Sequence, residues 1–310
     1  MSSPGPLLQA TAPDARKLSF RGEHLRRLSV LARYALEIRR LALVGIYHAG
    51  SGHPGGSLSC ADILAALYGA ELAIVPGEES DPHRDRFVLS KGHAAPALYA
   101  AWAACGYIEK EAVRSLRKLA SPYQGHPHVK DTPLAETSTG SLGQGFSVAI
   151  GMALGLRHLK SPARVYTLLG DGELQEGQVW EGAMFAAHRG LGNLLAIIDY
   201  NKMQSDDLNA NILGLEPLAE KWRAFGWNVQ EIDGHDLSAI LEAFQRASQA
   251  TGQPSVIIAH TRKGRGVAFM EGKPAWHGSV KLKDAEIQTA LAGLGLGESE
   301  IGSYLNGSIG

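Results

Sequence analysis

The chain has 310 residues, 45% of them hydrophobic, and its 30 basic and 31 acidic side chains leave a formal net charge of −1 at pH 7. That balance disfavours nucleic acid as a main partner, and no apolar run approaches the roughly 18 residues of a membrane helix. Cys60 and Cys105 have no metal-binding spacing and fit small core residues in a reducing compartment; with no apolar secretory segment near Met1, a cytoplasmic location is expected.

Residues 1–20 read as a flexible segment, and 21–310 as one domain long enough to bury roughly three quarters of its unfolded surface. From 22 to 48, Leu25, Leu28, Leu31, Leu36, Ile38, Leu41 and Val44 recur at helical spacing with arginines between them, giving a helix with one apolar and one basic face. A glycine-rich loop around His53 follows, then a helix over 59–71. Four glycines beside one imidazole cost conformational entropy and point to close ligand approach, with a plain turn as the alternative. Residues 71–86 read as a polar loop, 85–90 as a short buried strand, and 95–106 as an Ala-rich helix with His93 between the two. A short helix over 110–119 precedes a loop carrying His126 and His128, and 139–145 opens a long helix of small residues that suits a central or interface position.

The segment 165–203 is read as strand, Gly170-Asp171-Gly172, helix (176–188), strand (194–198), then Asp199-Tyr200-Asn201-Lys202-Met203. In an open parallel sheet both strands end at one edge, so Asp171 and Asn201 are expected to converge. A carboxylate and an amide oxygen are hard donors suited to Mg²⁺ or Ca²⁺, with phosphate oxygens and water completing the shell. A nicotinamide or flavin dinucleotide site fits less well. After Gly172 the next glycine is Gly177, too late for G-x-G-x-x-G, and an Asp between the first two glycines repels a pyrophosphate unless a metal intervenes. An ordinary strand-turn-helix with a solvated Asp171 is the remaining alternative. Beyond a polar loop (204–215) come a helix (216–225), a strand (227–232), a helix (236–247) with Asp236 as N-cap, a strand (255–259), a flexible basic loop (263–266), a fourth loop histidine at His277, a helix (284–291) and a Gly/Ser tail. This alternation predicts an α/β fold: a doubly wound, mainly parallel sheet with helices on both faces.

Ser51-Gly52-His53-Pro54-Gly55-Gly56, the run Asp85–His93 ending Ser90-Lys91-Gly92-His93, Gly125-His126-Pro127, Thr139-Gly140-Ser141-Leu142-Gly143-Gln144-Gly145, Gly170-Asp171-Gly172-Glu173-Leu174-Gln175-Glu176-Gly177, Asp199-Tyr200-Asn201-Lys202 and Trp276-His277-Gly278 stand in order along the chain. Together they resemble the N-terminal, thiamine-diphosphate-binding domain of transketolase. The resemblance implies Mg²⁺, with Ca²⁺ or Mn²⁺ as substitutes, held by Asp171, Asn201 and the Met203 carbonyl. It sets Gly172 and His93 at the diphosphate, His277 near diphosphate and substrate, and Gly140 and Leu142 against the aminopyrimidine. His53 and His126 become the imidazoles that handle the donor's hydroxyls and carbonyl, His277 a further catalytic candidate, and Glu176 the carboxylate linking cofactor sites across a subunit interface. The implied reaction moves a two-carbon ketol unit from a ketose or ketose phosphate to an aldose or aldose phosphate, with protons exchanged near neutral pH, where histidine is the natural side chain.

Two features depart from the pattern. Ser141 stands where many full-length transketolases carry Pro, and His128 where they often have Glu. The chain also ends at Gly310, short of the pyrimidine-binding and third domains and of the glutamate that activates the cofactor. The resemblance therefore implies an N-terminal subunit of a split transketolase, inactive alone and joining a separate C-terminal subunit in an α₂β₂ assembly. The alternatives are a different thiamine-diphosphate enzyme subunit, such as one like deoxyxylulose-phosphate synthase, or a non-catalytic scaffold. Intact Asp171, Asn201, Glu176 and four loop histidines argue against the scaffold.

Overall fold

The computed structural model describes residues 21–310 except 76, 78–80 and 133; residues 1–20, expected to be flexible, lie outside the described residues. The elements run α1 (Arg21–Ala49), α2 (Pro54–Ser59), α3 (Ala61–Ala66), β1 (Arg86–Leu89), α4 (Ala95–Ala104), α5 (Gln144–His158), β2 (Val165–Gly170), α6 (Gly177–His188), β3 (Leu194–Tyr200), α7 (Asn209–Ile212), α8 (Leu218–Ala224), β4 (Asn228–Asp233), α9 (Leu237–Gln249), β5 (Ser255–His260), α10 (Asp284–Gly293) and α11 (Glu298–Asn306). Among the described residues the strands form one parallel sheet in the order β1-β2-β3-β5-β4, and no helix is long and apolar enough to cross a membrane.

Alternation along the central strands builds the layers, because successive side chains point to opposite faces. Tyr166, Leu168, Leu195, Ile197 and Ile257 pack with α1, α3, α4 and α9 in one core, whereas Val165, Leu169, Leu194, Ala196, Ile198 and Val256 pack with α5, α6 and α8 in another. Apolar residues on both faces are what a parallel sheet covered by crossover helices requires. The carboxyl ends of β1, β2, β3 and β5 all open on one edge, where the loops hold Lys91, Asp171, Asn201 and Lys263.

Three local expectations change. The helix placed at 59–71 starts earlier, at Pro54, and is broken into α2, α3 and a π-helical turn, Leu67–Glu71. Proline suits the first helical turn, and the glycines that read as a loop are packing residues. A Cβ on Gly55 would lie 2.7 Å from the Trp276 carbonyl oxygen and 2.8 Å from Lys263 Cγ. The segment at 110–119 is a 3₁₀ turn, Lys110–Ser115. The glycine-rich tail contains α11, fixed by tertiary contacts rather than propensity: Tyr304 and Leu305 are buried, the Tyr304 hydroxyl donates to Glu37, and the Arg114 guanidinium donates to the Ser303, Tyr304 and Gly307 carbonyls.

Asp236 caps α9 as expected, accepting from the Ser238 N–H at 2.9 Å and the Ala239 N–H at 3.2 Å. Asp236→Ala is expected to cost about 1 kcal/mol of unfolding free energy, measured by urea titration.

Candidate active site

A cavity of about 370 Å³ opens at the carboxyl edge of the sheet. Gly170 at the end of β2 is in register with Asp199 near the end of β3, so Asp171 and Asn201, which follow them, meet at its floor. Asp171 accepts from the N–H of Gly172 at 2.8 Å and from the N–H of Lys202; Lys202 takes a left-handed backbone, φ 67°, to make that turn. The Asn201 side-chain oxygen accepts from the Met203 N–H at 3.2 Å. The Met203 carbonyl faces a buried ammonium, Lys263 Nζ, at 2.9 Å.

A carboxylate, an amide oxygen and a main-chain carbonyl are the hard donors that Mg²⁺ takes, and the cation already drawn to the Met203 carbonyl shows that this corner attracts positive charge. Among the described residues no cluster of three acidic, histidine or cysteine side chains could hold an ion. These three donors alone would leave the rest of a metal ion's shell to oxygens from outside the chain.

Beneath this floor lies a buried network. Asp199 accepts from Lys91 Nζ, from the Ser59 hydroxyl at 2.6 Å and from the Thr261 hydroxyl. Burial would push the Asp199 carboxyl up, but Lys91 and the hydroxyls outweigh it and hold it below the usual range. Lys91 is raised because Asp199 outweighs its own burial. Asp171 is pushed up, first by burial and then by the Asp199 charge, against Lys263 and its two N–H donors.

Three imidazoles form one wall. Ring centroids lie 5.2 Å apart for His53–His93, 5.4 Å for His93–His277 and 5.9 Å for His53–His277. Gly278 makes the approach possible, since a Cβ there would fall 2.5 Å from His53 Cδ2. His126 closes the cluster against Gly140, whose φ of 141° excludes a side chain and whose added Cβ would meet His126 Cδ2 at 2.9 Å. Burial first, then nearby cations, lowers His53 to about 4 and His277 to about 3, and takes His93 well down. All three are neutral at pH 7, able to accept a proton or, through the protonated ring nitrogen, to donate one.

These lowered values make stability depend on pH. Between about 6.5 and the folded-state value, the unfolded imidazole binds a proton that the folded one does not, so stability rises with pH across that window. The raised Asp171 acts with the opposite sign. Replacing His277 by Gln isolates one imidazole: the variant's thermal midpoint is expected to fall less steeply than that of the native chain as pH drops from 6.5 toward 4, as read by circular dichroism.

The remaining predicted positions line the same cavity. Gly140 and Leu142 line it beside His126, with the Leu142 carbonyl held by the Gln178 amide at 3.0 Å. Glu176 stands exposed at the rim, at the start of α6. Every candidate residue named from the sequence therefore lines one cavity. His128 does not; its side chain is 46% exposed and pairs with Asp131.

Several lining residues were not singled out from sequence. Lys263, expected on a flexible basic loop, is 1% exposed and donates to Met203 and His277. Glu173 accepts from the Ser90 hydroxyl and from the N–H groups of Gly143 and Gly170, tying three site loops together. Gln175 donates to Gln204 at 2.6 Å and to the Leu213 carbonyl at 2.9 Å. The alternation in Thr261-Arg262-Lys263 just past a strand end was the available signal for Lys263.

The family profile described as "Transketolase, thiamine diphosphate binding domain" matches residues 31–301. The chain is 49% identical over 257 residues to the 6-deoxy-6-sulfo-D-fructose transketolase subunit SqwG of Clostridium sp. (strain MSTE9), covering 83% of this chain and 93% of that protein. It is 40% identical to a subunit of the apulose-4-phosphate transketolase of Phocaeicola vulgatus, covering 76% of this chain and 83% of that one. Against human transketolase it is 41% identical, covering 83% of this chain and 41% of the human protein. The crystal structure of Pichia stipitis transketolase in complex with sedoheptulose-7-phosphate superposes with a TM-score of 0.83 at 32% identity, over 90% of this chain and 44% of that one.

Proposed function

The chain belongs to the transketolase family, in its thiamine-diphosphate-binding domain, and from that premise we propose that it is the cofactor-anchoring subunit of a split transketolase. The observation that carries this reading is the convergence of Asp171, Asn201, Met203 and four loop imidazoles on one cavity at the carboxyl edge of the sheet. Two relatives that the chain matches over 93% and 83% of their length are themselves named as transketolase subunits, which supports a separate partner.

In this proposal residues 21–310 are the diphosphate-binding unit, and Asp171, Asn201 and the Met203 carbonyl hold Mg²⁺, with Ca²⁺ or Mn²⁺ as substitutes. When bound, thiamine diphosphate supplies the electron sink for cleaving and passing on a two-carbon ketol unit. The chain's own residues do the rest. His93 and Gly172 flank the diphosphate, and Lys263 and Lys91 offset its charge. The glycine-lined end at Gly140 and Leu142 accepts a flat ring. Neutral His53, His126 and His277 take and return protons at the hydroxyls and carbonyl of the sugar, a task for which an uncharged imidazole is suited. Glu176, exposed at the rim, faces the C-terminal subunit, and two copies of each chain form an α₂β₂ assembly in the cytoplasm. Substrates are ketose and aldose sugars or their phosphates.

The test is a ketol-transfer assay with thiamine diphosphate and Mg²⁺, on the chain alone and mixed with its C-terminal subunit. Turnover is expected only in the mixture; turnover by the chain alone overturns the split assignment.

A further inference from the structure

We propose that His235, which lies outside the sequence motifs that line the cavity, is a positioning residue for its diphosphate end: it fixes the segment 261–263 and through it Lys263. The inference rests on the function proposed above for the role of that end, but its geometric part stands on the cofactor-free chain.

His235 lies in the turn between β4 and α9 and has both ring nitrogens engaged. Its Nε2 accepts from the Arg262 N–H at 2.9 Å. A main-chain N–H can only donate, so in the neutral ring the proton sits on Nδ1, which donates to Asp62 on α3 at 2.7 Å. Asp62 is in turn gripped by both terminal nitrogens of Arg39 on α1. The imidazole is thus locked in tautomer and orientation by Asp62, itself held by Arg39, from helices that pack with α9 in one core, as an orienting carboxylate does for a working histidine.

Segment 261–263 uses this anchor residue by residue. The Thr261 hydroxyl donates inward to Asp199, and Gly234, next to His235, lies so close that a Cβ there would meet Thr261 Cγ2 at 2.5 Å. The Arg262 guanidinium points outward, 70% exposed and paired with Glu271, so what His235 captures is main chain. Lys263 then turns inward, 1% exposed, with Nζ 2.9 Å from the Met203 carbonyl and 2.7 Å from His277 Nδ1. Losing the anchor at Arg262 frees the residue between two inward-facing ones, and Lys263 loses its fixed aim at the metal corner and at His277.

Two substitutions of His235, one of Lys263 and two readouts test this. In the cofactor-free chain, His235→Ala is expected to speed amide hydrogen exchange at residues 262–263 by roughly five- to ten-fold, the loss of about one hydrogen bond. Exchange in β2 and β3 should stay unchanged. His235→Gln, whose amide can accept from the Arg262 N–H, is expected to restore much of the protection. Unchanged exchange in the Ala variant, or no rescue by Gln, overturns the positioning role. In the complex with the C-terminal subunit, calorimetry with thiamine diphosphate and Mg²⁺ is expected to show affinity lower by roughly five-fold or more in His235→Ala, and no further loss when Lys263→Ala is added to it beyond that of Lys263→Ala alone. Faster exchange with unaltered affinity, or additive losses, overturns the transmission through Lys263. If the native complex binds no thiamine diphosphate, the proposed function fails, while the exchange result still decides whether His235 holds the segment.

Discussion

Asp171→Asn is expected to lower Mg²⁺-dependent thiamine diphosphate affinity by about two orders of magnitude or more, in the range seen when one partner of a buried charge interaction is removed. Asp171 is 2% exposed and carries three duties at once. One oxygen accepts from the Gly172 N–H and the other from the Lys202 N–H, which shapes the loop that presents Asn201 and Met203. Its charge balances Lys263, and in the function proposed above its carboxylate also serves Mg²⁺. Asparagine keeps the volume, brings an NH₂ group against a main-chain N–H, and removes the charge. The cofactor-free fold is expected to lose far less than the affinity does, because burial and Asp199 already make an ionised Asp171 unfavourable. Calorimetry on the complex with the C-terminal subunit, with a thermal melt of the cofactor-free chain beside it, separates the two. Undiminished affinity would contradict the metal corner.

Most of the fold and much of the site were legible because their signals are local. Strands β2 and β3 are short apolar runs bounded by turn residues, and Asp171 and Asn201 follow them at the edge that a parallel sheet turns toward ligand. The parts that escaped depend on residues far apart in the chain. Gly55 and Gly56 look like loop punctuation until the Lys263, Lys91 and His93 side chains against them are known. Lys263 looks like a solvated cation until the Met203 carbonyl and His277 are seen to enclose it. Helix α11 has a weak intrinsic signal, with Gly302 in its middle, and is held by Arg114 from a 3₁₀ turn nearly two hundred residues away. His235 gives no signal at all, since nothing in its neighbourhood says that Asp62 and Arg262 will meet there.

The buried pair Lys91–Asp199 sets up the second large effect, this time on the fold itself. Both side chains are essentially inaccessible, at 1% and 0%, and Lys91 Nζ also donates to the Gly56 carbonyl at 3.0 Å. Lys91→Met fills much of the same volume but leaves the Asp199 carboxylate with two hydroxyls and a 3.5 Å contact from the Asn201 amide, and without its directly paired counter-charge. Breaking a buried pair in this way costs about 3–5 kcal/mol, measured by denaturant titration at pH 7. The sign of the pH dependence is fixed by the same pairing. With Lys91 present, Asp199 is held below its ordinary value, so the pair contributes stability above the unfolded carboxylate range and loses it as pH falls through the folded value. Without Lys91 the carboxyl is pushed up by burial, takes a proton readily in acid, and ceases to be a stranded charge. The deficit of Lys91→Met relative to the native chain is therefore expected to shrink as pH falls from 7 toward the ordinary carboxylate range. Adding Asp199→Leu should recover part of the loss at pH 7, but not all of it, since the hydroxyls of Ser59 and Thr261 then lose their acceptor. A loss under about 1 kcal/mol in Lys91→Met at pH 7 would mean that the remaining donors suffice to hold the charge, and that the network under the metal corner does not depend on the lysine.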